Sequence, residues 1–360
     1  MHEELSGVWI MAYTTIDDPS KYFQTTLWTG NATDDRSITN TGNSDLQPDF
    51  VWIKSRETTN DHLLFNSTVG VGKYLRANAT DGETTIADTL QGFESDGIEI
   101  GADSRLNTNA DPVVSWQWKA NGGTTSSNSD GDITSTVQAN TTAGFSIVTW
   151  TGNGTDEDTV GHGLSGNWDV AIVKNRGETD YWTFSRTGTS SVLLLHDSTS
   201  EANHSTAYLT KSSGVIGLVG AGDLGMVNGS SETYVAYVFK EIQGYSKFGS
   251  YTGNGNADGP FVYTGFKPAW LMVKNTTSSR HWQLMDNKRS TSNVIDDYLQ
   301  ANASGAQSEG SSQHKFDFLS NGFKLRGTAD NVNDSGDTHV FMAFAEQPFV
   351  SSKGVPCTAR

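Results

Sequence analysis

Residues able to do chemistry are plentiful in this chain, but few stand at the spacing of a known reaction centre. Asp330-Asn331-Val332-Asn333-Asp334-Ser335-Gly336-Asp337 has the oxygen-rich look of a calcium loop. A helix-loop-helix calcium site beginning at Asp330 needs an oxygen ligand at its third position, and Val332 stands there. The acidic runs Asp34-Asp35 and Asp156-Glu157-Asp158 could attract a hard cation only weakly. The eight histidines are scattered singly, and neither His-Glu-x-x-His nor Gly-x-Ser-x-Gly occurs. The single cysteine, Cys357, excludes intrachain disulfides and a cysteine-based zinc site. Paired carboxylates of the glycosidase kind meet only in space, so the sequence leaves them open. The expectation is a non-enzymatic protein with no catalytic, cofactor-binding or metal-ligating residue and no cofactor.

Recognition chemistry is the remaining possibility. Three polar loops stand before strongly apolar segments and carry Asn107, Asn109 and Asp111; Asn228, Ser230 and Glu232; and Asn333, Asp334 and Asp337. Their side chains offer hydrogen-bond donors and acceptors suited to sugar hydroxyls. The same residue types also shape tight turns, so a ligand loop and a plain turn are both open readings.

The elements that must position these loops come from a repeat. Trp28-Thr29-Gly30-Asn31, Trp150-Thr151-Gly152-Asn153 and Tyr251-Thr252-Gly253-Asn254 are three versions of one motif. Lys54, Lys174 and Lys274 each end an apolar run and follow the motif's glycine by 24, 22 and 21 residues. Each copy closes on an apolar strand, at Val113 to Ala120, Tyr234 to Glu241 and His339 to Glu346. Phe93 to Ile100 matches Phe318 to Leu325 residue by residue, and the element is degenerate in copy 2 around Gly214-Val215-Ile216. Runs rich in Val, Ile, Trp, Tyr and Phe, punctuated by Gly, Asn, Asp, Ser and Thr, read as strands. The one helix-like stretch, Ser292 to Ser304, is equally compatible with a strand and a loop.

The predicted fold class is all-β, with three tandem antiparallel β-sandwich domains of jelly-roll or lectin-like type; an immunoglobulin-like sandwich is the alternative. The expected layout is an N-terminal segment 1–22, repeat 1 at 23–120, a flexible linker at 121–143, repeat 2 at 144–241, repeat 3 at 242–350 and a tail at 351–360. The linker expectation rests on a stretch almost free of large apolar residues. The short join Ile242 to Lys247 predicts that repeats 2 and 3 abut. The motif glycines are expected at positive φ, leaving the first strand of each repeat. The repeated lysines are expected to lay their stems on the core with the ammonium in water, and the closing-strand aromatics Trp116, Trp118, Tyr237, Phe239 and Phe344 to be core.

Composition narrows the partners. The formal net charge of -17, from 41 acidic and 24 basic residues, repels nucleic acid and anionic lipid. No apolar stretch has the length of a membrane span, so no membrane insertion is expected. The first residues lack a basic, apolar leader, which predicts synthesis as a soluble chain in the cytoplasm; Met11 is an alternative start.

The wording of several segments resembles a known family. "MAYTTIDDPSKYFQTTLWTGN", "LQPDFVWIK", "GFSIVTWTGNG", "YVAYVFKEIQGYSKFGSYTGNG", "FKPAWLMVKN" and "MAFAEQPFVSSKGVP" are similar to fibre-like virion structural proteins of tailed phages infecting marine bacteria. The resemblance spans nearly the whole chain from Met11. It implies a virion-surface protein made in the host bacterial cytoplasm, as a tail fibre, head fibre or capsid decoration. Its implied partners are other capsid or tail proteins, and it implies no catalytic residues. Tandem repeats add avidity for a host-surface glycan and suit a homo-oligomer. A lectin-like carbohydrate-binding protein and a glycan depolymerase are the rival readings.

Overall fold

The computed structural model describes residues 13–186, 192–201, 208–220 and 223–347. These residues are all-β, with antiparallel sheets and only single turns of helix such as Ser104–Asn107 and Asp330–Asn333. Of the stretch Ser292 to Ser304, only Leu299–Gln300 is strand, and none of it is helix.

The repeat seen in the sequence is a repeat of strand order. In copy 1 the larger sheet runs Phe23–Thr29, Pro112–Trp118, Phe50–Ser55, Leu63–Asn66, Lys73–Arg76 and Thr84–Thr85. Copy 2 repeats its first five positions with Phe145–Thr151, Thr233–Phe239, Val170–Asn175, Thr183–Arg186 and Leu193–Leu194. Copy 3 does so with Ser246–Thr252, Thr338–Phe344, Trp270–Asn275, Gln283–Asp286 and Leu299–Gln300. The register is shared as well: Trp118, Phe239 and Phe344 each pair with the first residue of both neighbouring strands. Each copy adds a three-stranded sheet, ordered Arg36–Thr39, Gly97–Ile100, Leu90–Glu94 in copy 1. The degenerate segment of copy 2 still makes this hairpin, from Leu209–Ser212 and Val215–Leu218. In every copy a buried apolar cluster draws side chains from both sheets, as Trp28, Val51 and Phe65 do with Ile38, Ile98 and Ile100.

The segment 121–143 is not a flexible linker. Ser126–Asn128 and Ser135–Asn140 are strands that extend the larger sheet of copy 2 beyond Phe145–Thr151. Polar composition is misleading here because the polar groups bond to protein. The Asp49 carboxylate accepts from the backbone N–H of Ala120, Gly122 and Gly123 at 2.7–2.8 Å. The buried Gln138 side chain donates to Ser67 and Thr68 of copy 1 and accepts from the N–H of Gly123. A buried polar group is tolerated when each of its bonds is made.

The copies are not beads on a string. The outer faces of the three larger sheets meet in one further cluster containing Phe23, Phe50, Trp116, Trp118, Phe145, Tyr237, Phe239, Trp270 and Phe344. Phe50 stacks on Tyr237 at 4.0 Å, and Trp118 sits edge-on to Trp270 at 5.5 Å. Large aromatics give this cluster the greatest apolar burial per residue, so one shared core holds all three copies. The closing-strand aromatics are therefore core.

Backbone bonds close the arrangement into a ring. Glu83 N–H of copy 1 donates to Arg176 O of copy 2 at 2.7 Å. Glu201 of copy 2 donates likewise to Thr276 of copy 3 at 3.0 Å, and Gln307 of copy 3 to Arg56 of copy 1 at 2.7 Å. Arg56, Arg176 and Thr276 each lie two residues past the repeated lysine, so the three bonds are equivalent and cyclic. Two further bonds run in the opposite sense, each to the preceding copy: Trp182 Nε1 donates to Arg76 O and Trp282 Nε1 to Leu194 O. In copy 1 this place belongs to His62, whose ring lies beside the backbone of Gln300 and accepts from Trp52 Nε1 at 2.9 Å.

Candidate functional site

The three motif turns and the three polar loops form one structure in each copy. The first strand delivers the motif, and the polar loop leads into the adjacent closing strand, so pairing brings the two together. The motif's aromatic donates into the loop: Trp28 Nε1 to Leu106 O, Trp150 Nε1 to Val227 O and Tyr251 OH to Val332 O. The next residue in each loop is the asparagine, and its Oδ1 accepts from the backbone N–H of Asn31, Asn153 or Asn254 at 2.9–3.1 Å. The asparagine Nδ2 then donates to two more acceptors. These are Thr33 O and Gly101 O in copy 1, Asn153 Oδ1 and Thr155 O in copy 2, and Asn256 O and Gly327 O in copy 3.

Asn107, Asn228 and Asn333 are fully buried, with their amides occupied by these bonds. They brace the turn and face no solvent. The motif glycines are also used differently from the expectation. Gly30, Gly152 and Gly253 are not at positive φ; the left-handed position lies two residues on, at Ala32, Gly154 and Gly255. Glycine is required because the loop backbone comes so near. A Cβ at Gly30, Gly152 or Gly253 would lie 2.0, 2.2 or 2.2 Å from a carbonyl oxygen of that loop.

The acids at the loop ends belong to the same frame. The backbone O of Asp111, Glu232 and Asp337 accepts from the motif glycine N–H. The Glu232 carboxylate takes bonds from Asn175 Nδ2 at 2.6 Å and Tyr234 OH at 2.7 Å, and Asp337 from Asn275 Nδ2 at 2.8 Å. Asp111 is buried beside Thr58. Asp334 is half-buried and shares Arg280 with Asp330. Asn109 and Ser230 alone among the nine candidates are exposed.

The repeated lysines differ from the expectation too. Lys54, Lys174 and Lys274 are buried to the ammonium. Each Nζ donates to the carbonyl of the following residue at 2.6–2.7 Å and to one further carbonyl, of Thr58, Glu178 or Ser198. Burial pushes all three down to about 8, against the pull of carboxylates such as Asp111 and Asp180. Lys274 reaches across to copy 2, so it also ties two copies together.

Sequence reasoning missed the exposed aromatics Phe261 and Tyr263, in the small sheet of copy 3. Their signal was period-two alternation: Val262 points inward, so its neighbours point out. Among the described residues, no group of three His, Cys, Asp or Glu side chains is placed to hold a metal ion, and no helix is long and apolar enough to cross a membrane.

Residues 18–348 match the family model of a domain of unknown function, DUF7483, and the chain belongs to that family. No curated protein matches it.

Proposed function

We propose that this member of the DUF7483 family is a non-enzymatic surface protein of a phage particle, a tail fibre, head fibre or capsid decoration that adheres to the host surface. Each copy is read as a two-layer antiparallel sandwich of jelly-roll or lectin-like type. The observation that carries the proposal is the closed ring: one aromatic core, one cyclic set of backbone hydrogen bonds and two indole bonds between copies hold the three copies together without a disulfide. Three loop ends of equivalent build are thereby displayed at fixed spacing. Fixed spacing favours multivalent attachment, since each weak contact then raises the effective concentration of the next. The resemblance of its wording to virion structural proteins, as read from the sequence, points the same way. Antibody against the purified chain should label intact particles of the encoding phage in electron micrographs; particles that carry no label, with the chain absent from their protein content, would overturn the reading.

A further inference from the structure

The three copies act as internal controls for one another. A residue type that copies 1 and 2 do without is not needed to fold copy 3. The edge strand of each small sheet occurs as Arg36–Thr39, Thr159–Gly161 and Phe261–Tyr263. Pairing aligns Ile38, Val160 and Val262, all buried. The outward positions on either side are Ser37 and Thr39 in copy 1 and Thr159 and Gly161 in copy 2. In copy 3 they are Phe261, 46% exposed, and Tyr263, 58% exposed. The same strand therefore folds with small residues twice and carries two solvent-facing rings once.

The rings are held in place. Phe261 leans over Gly322 on the neighbouring strand, where a Cβ would lie 3.0 Å from its ring. The Tyr263 hydroxyl lies 3.5 Å from that of Tyr13, which itself donates to Gly265 O at 2.7 Å. Rings two positions apart on a strand stand about 7 Å from each other, on a common face. Across the sheet, about 10 Å away at two strand spacings, Asp317 and Leu319 occupy the far strand. They line one wall of a cleft of about 480 Å³ whose remaining lining is Lys267, Thr291, Ser292 and Asn293. One face thus joins an aromatic ledge to a recess of hydroxyl, amide and charged groups.

We infer that this face of copy 3 binds a neutral glycan, its sugar rings stacked on Phe261 and Tyr263 and its hydroxyls entering the cleft. Sugar rings present apolar C–H faces and polar edges, and ring faces beside hydrogen-bonding groups meet both. Of the cations around the ledge and cleft, Lys324 pairs with Asp258 at 2.8 Å and Arg326 with Asp317 at 3.3 Å, which leaves Lys267 alone of these three without an ion pair among the described residues. With the chain's -17 charge, this disfavours an acidic polymer. The inference deepens the adhesion reading by placing a ligand site outside the motif loops. It is tested on the isolated chain, so failure to bind sugar and failure to label particles are separate results.

The full chain is titrated calorimetrically with neutral β-glucan, mannan and galactan oligosaccharides. Saturable binding to at least one is expected. Replacing the rings with the residues of copy 1, Phe261→Ser with Tyr263→Thr, should weaken it at least about tenfold, or 1.4 kcal/mol, with the melting temperature unchanged. Tyr263→Thr alone, which leaves the ring over Gly322, should weaken it by a smaller factor even if the double variant melts early. No binding to any of these sugars, or binding unaffected by either variant, overturns the inference. So does concentration-dependent self-association that the double variant abolishes without sugar binding, which would assign the ledge to a second copy of the chain.

Discussion

Gly152→Ala separates close approach from backbone strain as the reason for the repeated glycine. Gly152 is outside the left-handed region, so alanine carries no dihedral penalty there. Its Cβ would instead lie 2.2 Å from Gly229 O and 3.0 Å from Asn228 Oδ1. Relief requires the loop to retreat by about 1 Å or more, given ordinary carbon contacts. That retreat stretches the Asn228 bonds to Asn153 N, Asn153 Oδ1 and Thr155 O, now 2.8–3.1 Å, around a fully buried amide. Weakening bonds worth about 1 kcal/mol each, partly offset by the roughly 0.4–1 kcal/mol that Gly→Ala contributes by stiffening the unfolded chain, leaves a net loss of about 2–3 kcal/mol. Gly177→Ala is the control, at the same end of copy 2. It too is outside the left-handed region, and its nearest atom lies at 3.8 Å, so it should be neutral or slightly stabilising. Urea denaturation followed by tryptophan fluorescence measures both. A Gly152→Ala loss under about 0.5 kcal/mol, or no greater than that of Gly177→Ala, would refute the close-approach argument.

Three further outcomes follow from the buried charges. Lys54, Lys174 and Lys274 sit at about 8 in the fold against 10.5 ordinarily, so from pH 8 to about 10 the unfolded chain holds protons that the folded chain has shed. Stability should rise through that window, by at most about 1.4 kcal/mol per pH unit for each lysine, and Lys174→Met should flatten the slope; melting that falls steadily from pH 8 to 9.5 contradicts this. Burial also lowers His162 and His314 to about 4 and His62 well below its usual value. Their stabilisation is complete above about pH 6.5 and is lost as pH falls, so the urea midpoint should drop between pH 7 and 5, and less so in His62→Gln. Asp286→Ala strands the buried guanidinium of Arg289, now 2.5 Å from the carboxylate, and should cost about 3–5 kcal/mol; a loss below 1 kcal/mol would mean that the site rehydrates.

Periodicity made the strands legible, and the internal repeat made their order legible, since a residue kept in three copies must serve a need common to all three. What the sequence hid was closure. Nothing in the string of Trp182 or Trp282 says that its indole N–H meets a carbonyl of the preceding copy, because that bond depends on a rotation between copies and not on local pattern. The same blindness turned 121–143 into a linker: Asp49, distant in sequence, holds the backbone at its start, and Gln138 within it bonds to the distant Ser67 and Thr68, so a polar segment with little apolar reason of its own is ordered. The nine loop candidates failed to separate for a related reason. Asn107 and Asn109 look alike as letters, yet one is sealed under the turn and the other faces water.

The three seams of the ring share a backbone plan and differ in their side chains, and the difference bears on how the chain closes. At equivalent positions the seam between copies 1 and 2 pairs Asn66 with Tyr237 OH at 3.2 Å, and that between copies 3 and 1 pairs Asp286 with Trp116 Nε1 at 3.0 Å. Between copies 2 and 3 the corresponding residues are Arg186 and Met342, and Arg186 turns to Glu201 at 2.9 Å beside a cavity of about 160 Å³. Copies built on one strand plan could pair in the wrong order, or with a copy of another chain. The polar pairs resist this, since a mismatched seam would leave a buried donor or carboxylate without its partner, at a cost of several kcal/mol. The seam between copies 3 and 1 most needs such a lock. Copies 1 and 2, and copies 2 and 3, are joined by the chain itself, whereas this seam closes by non-covalent contacts alone. It carries the fully buried Asp286–Arg289 pair, the Arg289 guanidinium 5.5 Å over the Trp116 ring, and Arg56 reaching Gln307 at 2.9 Å. An ion pair crosses the seam between copies 1 and 2 as well, Arg176 with Glu83 at 2.9 Å, but among the described residues the pair with both side chains fully buried lies where chain continuity is missing, which is where a single chain most needs a lock to close on itself in one register.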